Sequence, residues 1–112
     1  MRVLLLVPVL AVALSACAGV PLPRESLTDP GALLFNGYTK PKVDCFRCHN
    51  GNGQGASRGP NLAPRVPKKS DERLAKVIRE GEGFMPKYKD DLTDEEVTQV
   101  IAWMRASFPQ SK

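Results

Sequence analysis

The sequence has few of the residues from which several common kinds of site are built. It has one histidine, His49, among 112 residues, and its three cysteines include only one closely spaced pair. A four-ligand zinc site would therefore lack ligands. Aromatic residues make up only 6% of the chain and the lysines are dispersed, which does not favour nucleic-acid binding. No stretch alternates apolar and polar residues as a strand does, and no segment repeats, so the chain is predicted to be all-α.

The closely spaced pair of thiols is followed directly by the single imidazole. Cys45, Cys48 and His49 lie in the sequence Cys-Phe-Arg-Cys-His, a spacing typical of c-type haem attachment. Each thiol can add across one haem vinyl group, which delivers the imidazole to an axial face of the iron. The competing interpretations are a thioredoxin-like dithiol, which lacks its βαβ context here, and half of a zinc site. The spacing favours one covalently bound haem c.

The N-terminal residues resemble the export signal of a bacterial lipoprotein. Arg2 precedes an apolar run, residues 3–14, that is too short to span a bilayer and is typical of a secretory signal. The run ends in Leu-Ser-Ala-Cys at Cys17, which resembles a lipobox; in that family the signal is removed before the cysteine, which is then acylated. Ordinary cleavage at an Ala-x-Ala site, which would discard Cys17, is the alternative.

These features divide the chain into three predicted parts. Residues 1–16 form a lipoprotein signal peptide, residues 17–28 a tether that begins with the lipidated cysteine, and residues 29–112 a folded domain. Lipid and haem together use all the cysteines, which leaves none for a disulfide. The protein is expected to be exported in a Gram-negative bacterium, and to face the periplasm or be lipid-anchored to the outer membrane.

Three stretches carry the signals of helices, at 29–37, 70–81 and 93–107. The first opens with an Asp-Pro pair, and the first two end at glycine. The last has a capping box of Thr93 and Glu96 and continues with apolar residues at helical spacing. Between the first two helices lies a long stretch rich in glycine and proline. Such a stretch is compatible with a small domain when it wraps a flat cofactor, since glycine lets the backbone approach closely.

With these elements, the chain after the tether resembles a small bacterial class I cytochrome c, a family of single-haem electron carriers. The resemblance implies a small fold of three to four helices around one haem. It also implies thioether bonds from Cys45 and Cys48, and His49 as proximal ligand. A carbonyl from Pro60, in Gly-Pro-Asn-Leu, would accept a hydrogen bond from the ligand imidazole. Met85, which is followed by proline, would be the distal ligand.

Further residues match or depart from this pattern. Gly31, Phe35 and Trp103 resemble the family's contact between its first and last helices. Residues 36–44 are longer than the usual link into the haem motif, so the way in which the first helix meets the haem is unassigned. Met85 lies in an irregular loop, whereas the other methionine of the mature chain lies on the last helical stripe and is expected to fill core.

Three aromatic residues near the predicted site, Phe84, Tyr88 and Trp103, are expected to fill the core. Lining the haem is the alternative for all three, and Tyr88 would then hydrogen-bond a propionate.

The resemblance and the charge pattern predict an electron carrier rather than an enzyme. Residues 38–89 carry twelve Lys and Arg against five Asp and Glu, a balance that could steer acidic redox partners; a solvated surface is the alternative. The prediction is a monomeric carrier, lipid-anchored at a membrane, that passes one electron between a donor and an acceptor. The alternatives are a haem subunit of a larger respiratory complex, and a haem enzyme or gas sensor with a labile distal methionine.

Overall fold

The structure, a computed structural model, describes residues 19–110, and the predicted signal peptide and Cys17 lie outside the described residues. The helices are α1 (Pro30–Phe35), α2 (Phe46–His49), α3 (Asp71–Glu80) and α4 (Asp94–Ser107), with 3-10 turns at Arg24–Ser26 and Val66–Lys68. Residues 19–110 contain isolated β-bridges but no strand. The all-α prediction is confirmed. The chain from 36 to 45 is not helical, so α1 and α2 are separate helices, as Pro41 in that stretch indicates.

The starts of α1 and α4 follow from their capping residues. The carboxylate of Asp29 accepts hydrogen bonds from the N–H groups of Gly31 and Ala32 at 2.8 and 3.2 Å. At α4 the Thr93 hydroxyl accepts from the N–H of Glu96 at 3.1 Å, and the Glu96 carboxylate accepts from the N–H of Thr93 at 2.9 Å. This is the reciprocal capping box that the sequence predicts.

Helices α1 and α4 cross in close contact. A Cβ atom added to Gly31 would lie 2.1 Å from the carbonyl oxygen of Gln99, so only glycine permits this approach of the two backbones. One turn further along α1, the rings of Phe35 and Trp103 pack with centroids 4.7 Å apart at 46°. The structure therefore brings together the three residues for which the sequence predicts this contact. The crossing fixes one wall of the core.

The link between α1 and α2, residues 36–44, packs against the domain at two points. Val43 is fully buried in the hydrophobic core. The ammonium group of Lys40 donates to the carboxylate of Glu96 at 2.6 Å and to the carbonyl of Asp91 at 2.9 Å. The link therefore reaches across to the start of α4, which ties the helix before the haem motif to the last helix.

Replacing Lys40 with methionine is expected to cost about 0.5–1 kcal/mol of stability at neutral pH. The hydrogen bond from Lys40 is the largest of the effects that lower the pKa of Glu96 below 4.5 in the folded chain. Stabilisation from such a pair is fully present above the pKa in the unfolded chain and is lost as the pH falls through the lowered value. Denaturant unfolding from pH 7 to pH 3 should show the difference between wild type and Lys40→Met shrinking in acid.

The matched control is the same lysine substitution in a Glu96→Gln background. There the Lys40→Met change should have an effect that does not depend on pH over this range. An equally pH-dependent effect in both backgrounds would contradict the assignment of the ion pair.

The stretch at 19–28, predicted to be a tether, is packed against the domain. The N–H of Gly19 donates to the carbonyl of Arg47 at 2.9 Å, and the N–H of Val20 donates to Oδ1 of Asn50 at 3.1 Å. Residues 19–22 form an N-terminal strap. The partners of Gly19 and Val20 lie about 30 positions further along the chain, which is why no local sequence pattern indicates this packing.

A buried asparagine side chain holds the strap against α1. Oδ1 of Asn36 accepts from the N–H of Leu22 at 2.9 Å, and its Nδ2 donates to the carbonyl oxygens of Ala32 and Gly51 at 2.9 and 3.3 Å. Asn36 is 2% exposed, and the buried polar atoms of its side chain all have hydrogen-bond partners. Further along, Leu27 is buried as well. Residues 19–28 are therefore part of the packed structure.

Candidate haem site

The single turn of α2 places the attachment residues on one face. Cys45 is the N-cap of α2, and Cys48 and His49 follow three and four positions later, which on a helix brings their side chains together. The N–H of His49 donates to the carbonyl of Cys45 at 3.0 Å, which closes the turn. The turn accounts for the motif's spacing.

The ring of His49 is oriented by a carbonyl from the following loop. Its Nδ1 lies 3.0 Å from the carbonyl oxygen of Pro60. Because a carbonyl oxygen only accepts, Nδ1 must carry the hydrogen, and Nε2 is left with its lone pair to bind a metal. This second contact is the kind that holds a ligand imidazole in one orientation.

Gly59 allows the Pro60 carbonyl to reach the ring. A Cβ atom at Gly59 would lie 2.6 Å from the carbonyl oxygen of Cys48 and 3.1 Å from its Cβ atom. The loop therefore passes directly over the attachment turn, and any side chain at this position would lift it. The glycine-proline pair works as one unit: the first residue permits the approach and the second supplies the acceptor.

Gly59→Ala is expected to weaken the orientation of the His49 ring. The added methyl group must displace backbone, since the nearest atom belongs to Cys48, and overpacking of this kind costs about 1–3 kcal/mol. Thermal unfolding of the haem-loaded protein should show a lower midpoint, and the imidazole N–H resonance in NMR spectra should exchange faster with solvent. Gln54→Ala is the control, because Gln54 is an exposed residue of the same loop. Equal effects of the two substitutions would contradict the proposed role of Gly59.

All the cofactor residues that the sequence predicts within the described range line one cavity, of about 320 Å³. The attachment turn contributes two thiols and an imidazole to the cavity, and the loop that contains Met85 contributes a thioether. The apolar lining of the cavity includes residues from α1, α3, α4 and the segment between α2 and α3: Phe35, Leu62, Val66, Leu74, Ile78 and Val100. Thiols, an imidazole, a thioether and an apolar lining are the groups that a covalently bound haem requires. The residues present fit this group.

Met85 and Met104 both line the cavity, from different kinds of structure. Met104 is 4% exposed and belongs to the core cluster on α4. Met85 follows a tight turn in which its N–H donates to the carbonyl of Glu82 at 3.0 Å. Gly81 and Gly83 have φ angles of +75° and +59°, which residues with a Cβ rarely adopt. Met85 therefore lines the cavity from a turn, and not from a helix as Met104 does.

The expectation that Phe84 fills core is wrong, because its side chain is fully exposed at the cavity mouth. The turn brings Met85 inward, and the residue before it consequently points out. Tyr88 is buried, and Trp103 packs against the core, as expected. The Tyr88 hydroxyl donates to the carboxylate of Asp44 at 3.2 Å, next to the attachment cysteines. Burial is the main cause that raises the pKa of Tyr88.

The pKa of the Cys45 thiol is raised, whereas the nucleophilic thiol of a dithiol catalyst has a lowered pKa. Burial raises the pKa of Cys45 to about 12, against a backbone hydrogen bond that lowers it, and the nearby Asp44 and Cys48 raise it further. A thioredoxin-like nucleophile needs a lowered thiol pKa, so that interpretation is not supported. In the described part of the chain, no group of three or more His, Cys, Asp and Glu side chains is arranged to hold a metal ion.

Residues 29–104 match the protein family described as cytochrome C oxidase, cbb3-type, subunit III. The chain belongs to the cytochrome c family. Membership of this family implies haem c, and Cys45 and Cys48 are the thiols of its Cys-x-x-Cys-His motif. Of the helices in residues 19–110, none is both long and apolar enough to cross a membrane.

Individual cytochromes are similar over most of this chain. A cytochrome c-551 from Bacillus subtilis (strain 168) is 32% identical over 99 residues, which cover 85% of each protein. A cytochrome c6-like protein from Nostoc is 30% identical over 86 residues, covering 71% of this chain and 78% of the relative. The crystal structure of cytochrome c6C from Synechococcus sp. PCC 7002 superposes with a TM-score of 0.53 at 30% identity, covering 71% of this chain and 95% of that one. The predicted small cytochrome c fold is confirmed.

The sequence patterns did not indicate the role of Asp44. Its carboxylate accepts from Tyr88 and also pairs with the guanidinium of Arg47 at 2.8 Å. Arg47 lies three positions later, and that spacing is the one local signal that could have suggested the pair. Arg58, Arg65 and Lys69 also line the cavity, which only the three-dimensional structure reveals.

Proposed function

We propose that this cytochrome c is a single-haem electron-transfer protein that passes one electron between membrane-associated redox partners. Cys45 and Cys48 would form the thioether bonds to haem c, and His49 and Met85 would be the axial ligands. Haem c supplies a metal centre that alternates between two oxidation states one electron apart. The protein residues bind the group, orient the imidazole and exclude water.

The observation that carries this proposal is the meeting of imidazole and thioether in one apolar cavity. His49 has Nε2 available because Nδ1 is bound to the Pro60 carbonyl, and Met85 lines the same cavity from a different loop. If His49 and Met85 both bind the iron, no coordination position would be left for a substrate. Nothing in the described cavity supplies a second imidazole for acid–base chemistry, since His49 is the only histidine. This favours a carrier over an enzyme.

Cationic side chains around the cavity are suited to the rest of the cofactor. Arg58, Arg65 and Lys69 line it together with the acids Asp44 and Glu82. Two propionate carboxylates would be stabilised by neighbouring cations. The Tyr88 hydroxyl already has a carboxylate acceptor beside the attachment turn, which favours these cations over the tyrosine as propionate partners.

The optical spectrum of the reduced holoprotein, with and without carbon monoxide, tests this function. If protein ligands fill both axial positions, the bands should be those of low-spin haem and should not shift when the gas is added. A prompt shift would contradict the carrier and favour the enzyme or gas sensor with a labile methionine. Absence of any haem spectrum, after expression in a host that matures c-type cytochromes, would contradict the haem assignment itself.

For the location of the protein, the proposal is export followed by acylation of Cys17, with residues 1–16 removed and a cytochrome domain at 29–112. The lipobox-like sequence that ends at Cys17 supports this. The protein would then face the periplasm or be anchored at the outer membrane. Several acyl chains on one cysteine are sufficient for stable attachment.

Cys17→Ser is expected to release the cytochrome from membranes into the soluble fraction, with its haem spectrum unchanged. The measurement is fractionation of cells without detergent, followed by haem staining. Wild type should remain with the membranes. A serine variant that stays with the membranes as wild type does would contradict lipid anchoring through Cys17.

A haem subunit of a larger respiratory complex is the second candidate. The matched family is described as a subunit of a cbb3-type oxidase, and the match covers residues 29–104. Blue native gel electrophoresis of mildly solubilised membranes separates the two candidates. A free carrier should migrate as a small haem-staining species, and a fixed subunit should co-migrate with other redox proteins.

A further inference from the structure

The N-terminal strap is bound to the same short helix that carries the haem-attachment residues. The N–H of Gly19 donates to the carbonyl of Arg47 at 2.9 Å, and the N–H of Gly51 donates to the carbonyl of Val20 at 2.9 Å. These two partners lie two positions on either side of the candidate proximal histidine. The strap therefore holds both the end of α2 and the first residues after it.

The packing of the strap on α2 is too close to be incidental. A Cβ atom at Gly19 would lie 1.9 Å from the carbonyl oxygen of Phe46. At the end of α2, Asn50 has a φ angle of +64°, an unusual conformation for a residue with a side chain. Its Oδ1 accepts from the N–H groups of Val20 and Gly51 at 3.1 and 3.0 Å. The strap and the strained residue stabilise each other.

Covalent geometry limits how far the proposed lipid attachment point lies from this contact. Only Ala18 separates Cys17 from Gly19 in the chain. Since consecutive Cα atoms are about 3.8 Å apart, the Cα atom of Cys17 lies within about 8 Å of that of Gly19. If residues 17–28 were instead a flexible linker, their root-mean-square end-to-end distance would be about 18 Å, since this distance is roughly 5–6 Å times the square root of the number of residues. The domain could then take many positions relative to the lipid.

We propose that the strap fixes the lipid anchor beside α2, so that the α2 face of the domain rests on the lipid bilayer surface. This proposal rests on the proposed lipidation of Cys17. The anchor is then a short connection with one exit point, and the domain has one preferred orientation.

Quenching of headgroup fluorescence by the haem tests this arrangement. Lipidated holoprotein is bound to vesicles of phosphatidylethanolamine and phosphatidylglycerol that contain a small fraction of dansyl-labelled headgroups. Because energy transfer to haem falls steeply with distance, quenching reports how close the domain lies to the surface. The variants are Gly19→Ala, which should detach the strap, and an insertion of five glycine and serine residues between Ala18 and Gly19, which lengthens the connection. Val20→Ala is the matched control, since its side chain is 69% exposed.

At equal amounts of bound protein, we expect strong quenching for wild type and Val20→Ala and a clear loss for the other two variants. Equal quenching by all four proteins would overturn the proposal while leaving lipid anchoring intact. If no protein binds the vesicles, the proposed anchor has failed, and the bilayer part of this proposal fails with it.

The docked strap itself is tested without lipid. In the soluble Cys17→Ser holoprotein, hydrogen exchange should show protection of the amides of Gly19, Val20 and Gly51, and Gly19→Ala in that background should remove it. The insertion before Gly19 should leave the protection unchanged. Amides that exchange at the rate of an unstructured chain in the parent protein would overturn the proposal.

Discussion

Met85→Ala is expected to turn a closed haem site into one that binds external ligands. Met85 follows a turn that depends on Gly81 and Gly83, and neither of its neighbours can take its place: Phe84 is fully exposed and Pro86 has no ligand atom. Loss of the thioether should also lower the reduction potential, by an amount on the order of 100 mV, because axial ligands are among the strongest influences on haem potentials.

The measurements are the spectrum of the reduced variant under carbon monoxide and a potentiometric titration against wild type. Met104→Leu is the matched control, because Met104 also lines the cavity but belongs to the packed core of α4. Leucine has a similar volume and should keep both the potential and the resistance to the gas. If the Met104 substitution opens the site and the Met85 substitution does not, the ligand has been assigned to the wrong methionine.

The parts of this cytochrome that could be predicted from its sequence depend on residues close together in the chain. The capping box of α4 joins Thr93 to Glu96, and the attachment turn joins Cys45 to Cys48 and His49. In each case the interacting residues lie within about one helical turn of each other, so the local residue pattern is sufficient to predict the interaction. The same reason explains why α4 begins and ends where it was expected.

The parts that could not be predicted depend on contacts between distant residues. Val20 of the strap is held by a partner 30 positions away, and Asn36 joins Leu22 to Gly51, at 14 and 15 positions from itself. Backbone groups make many of these contacts, and every residue has them, so composition carries no sign of the pairing. The prediction for Phe84 failed for another reason. Phe84 and Met85 are both apolar, so the sequence does not show which of the two side chains points inward; the conformation of the turn decides this, and Phe84 is the exposed one.

Gly31→Ala is expected to cost the holoprotein about 1–2 kcal/mol of stability. Alanine favours a helix over glycine by up to about 1 kcal/mol, so local preference alone predicts a gain. The new Cβ atom, however, would lie 2.1 Å from the carbonyl oxygen of Gln99 and 2.9 Å from the Cβ atom of Trp103. Neither contact is the end of a flexible chain, so α1 and α4 must move apart, and overpacking of about 1–3 kcal/mol outweighs the gain.

The consequence should reach the haem site, because Phe35 of α1 packs on Trp103 and its ring centroid lies 6.4 Å from that of His49. Denaturant unfolding of Gly31→Ala should show a lower midpoint, and the NMR shifts of the His49 ring should change. Ala106→Val, which adds methyl groups on the exposed side of α4, is the control, and its cost should be limited to a few tenths of a kcal/mol of helix propensity. A Gly31→Ala protein as stable as wild type would mean that the two helices can separate at little cost, and the α1–α4 crossing would then not be what holds this wall of the cavity.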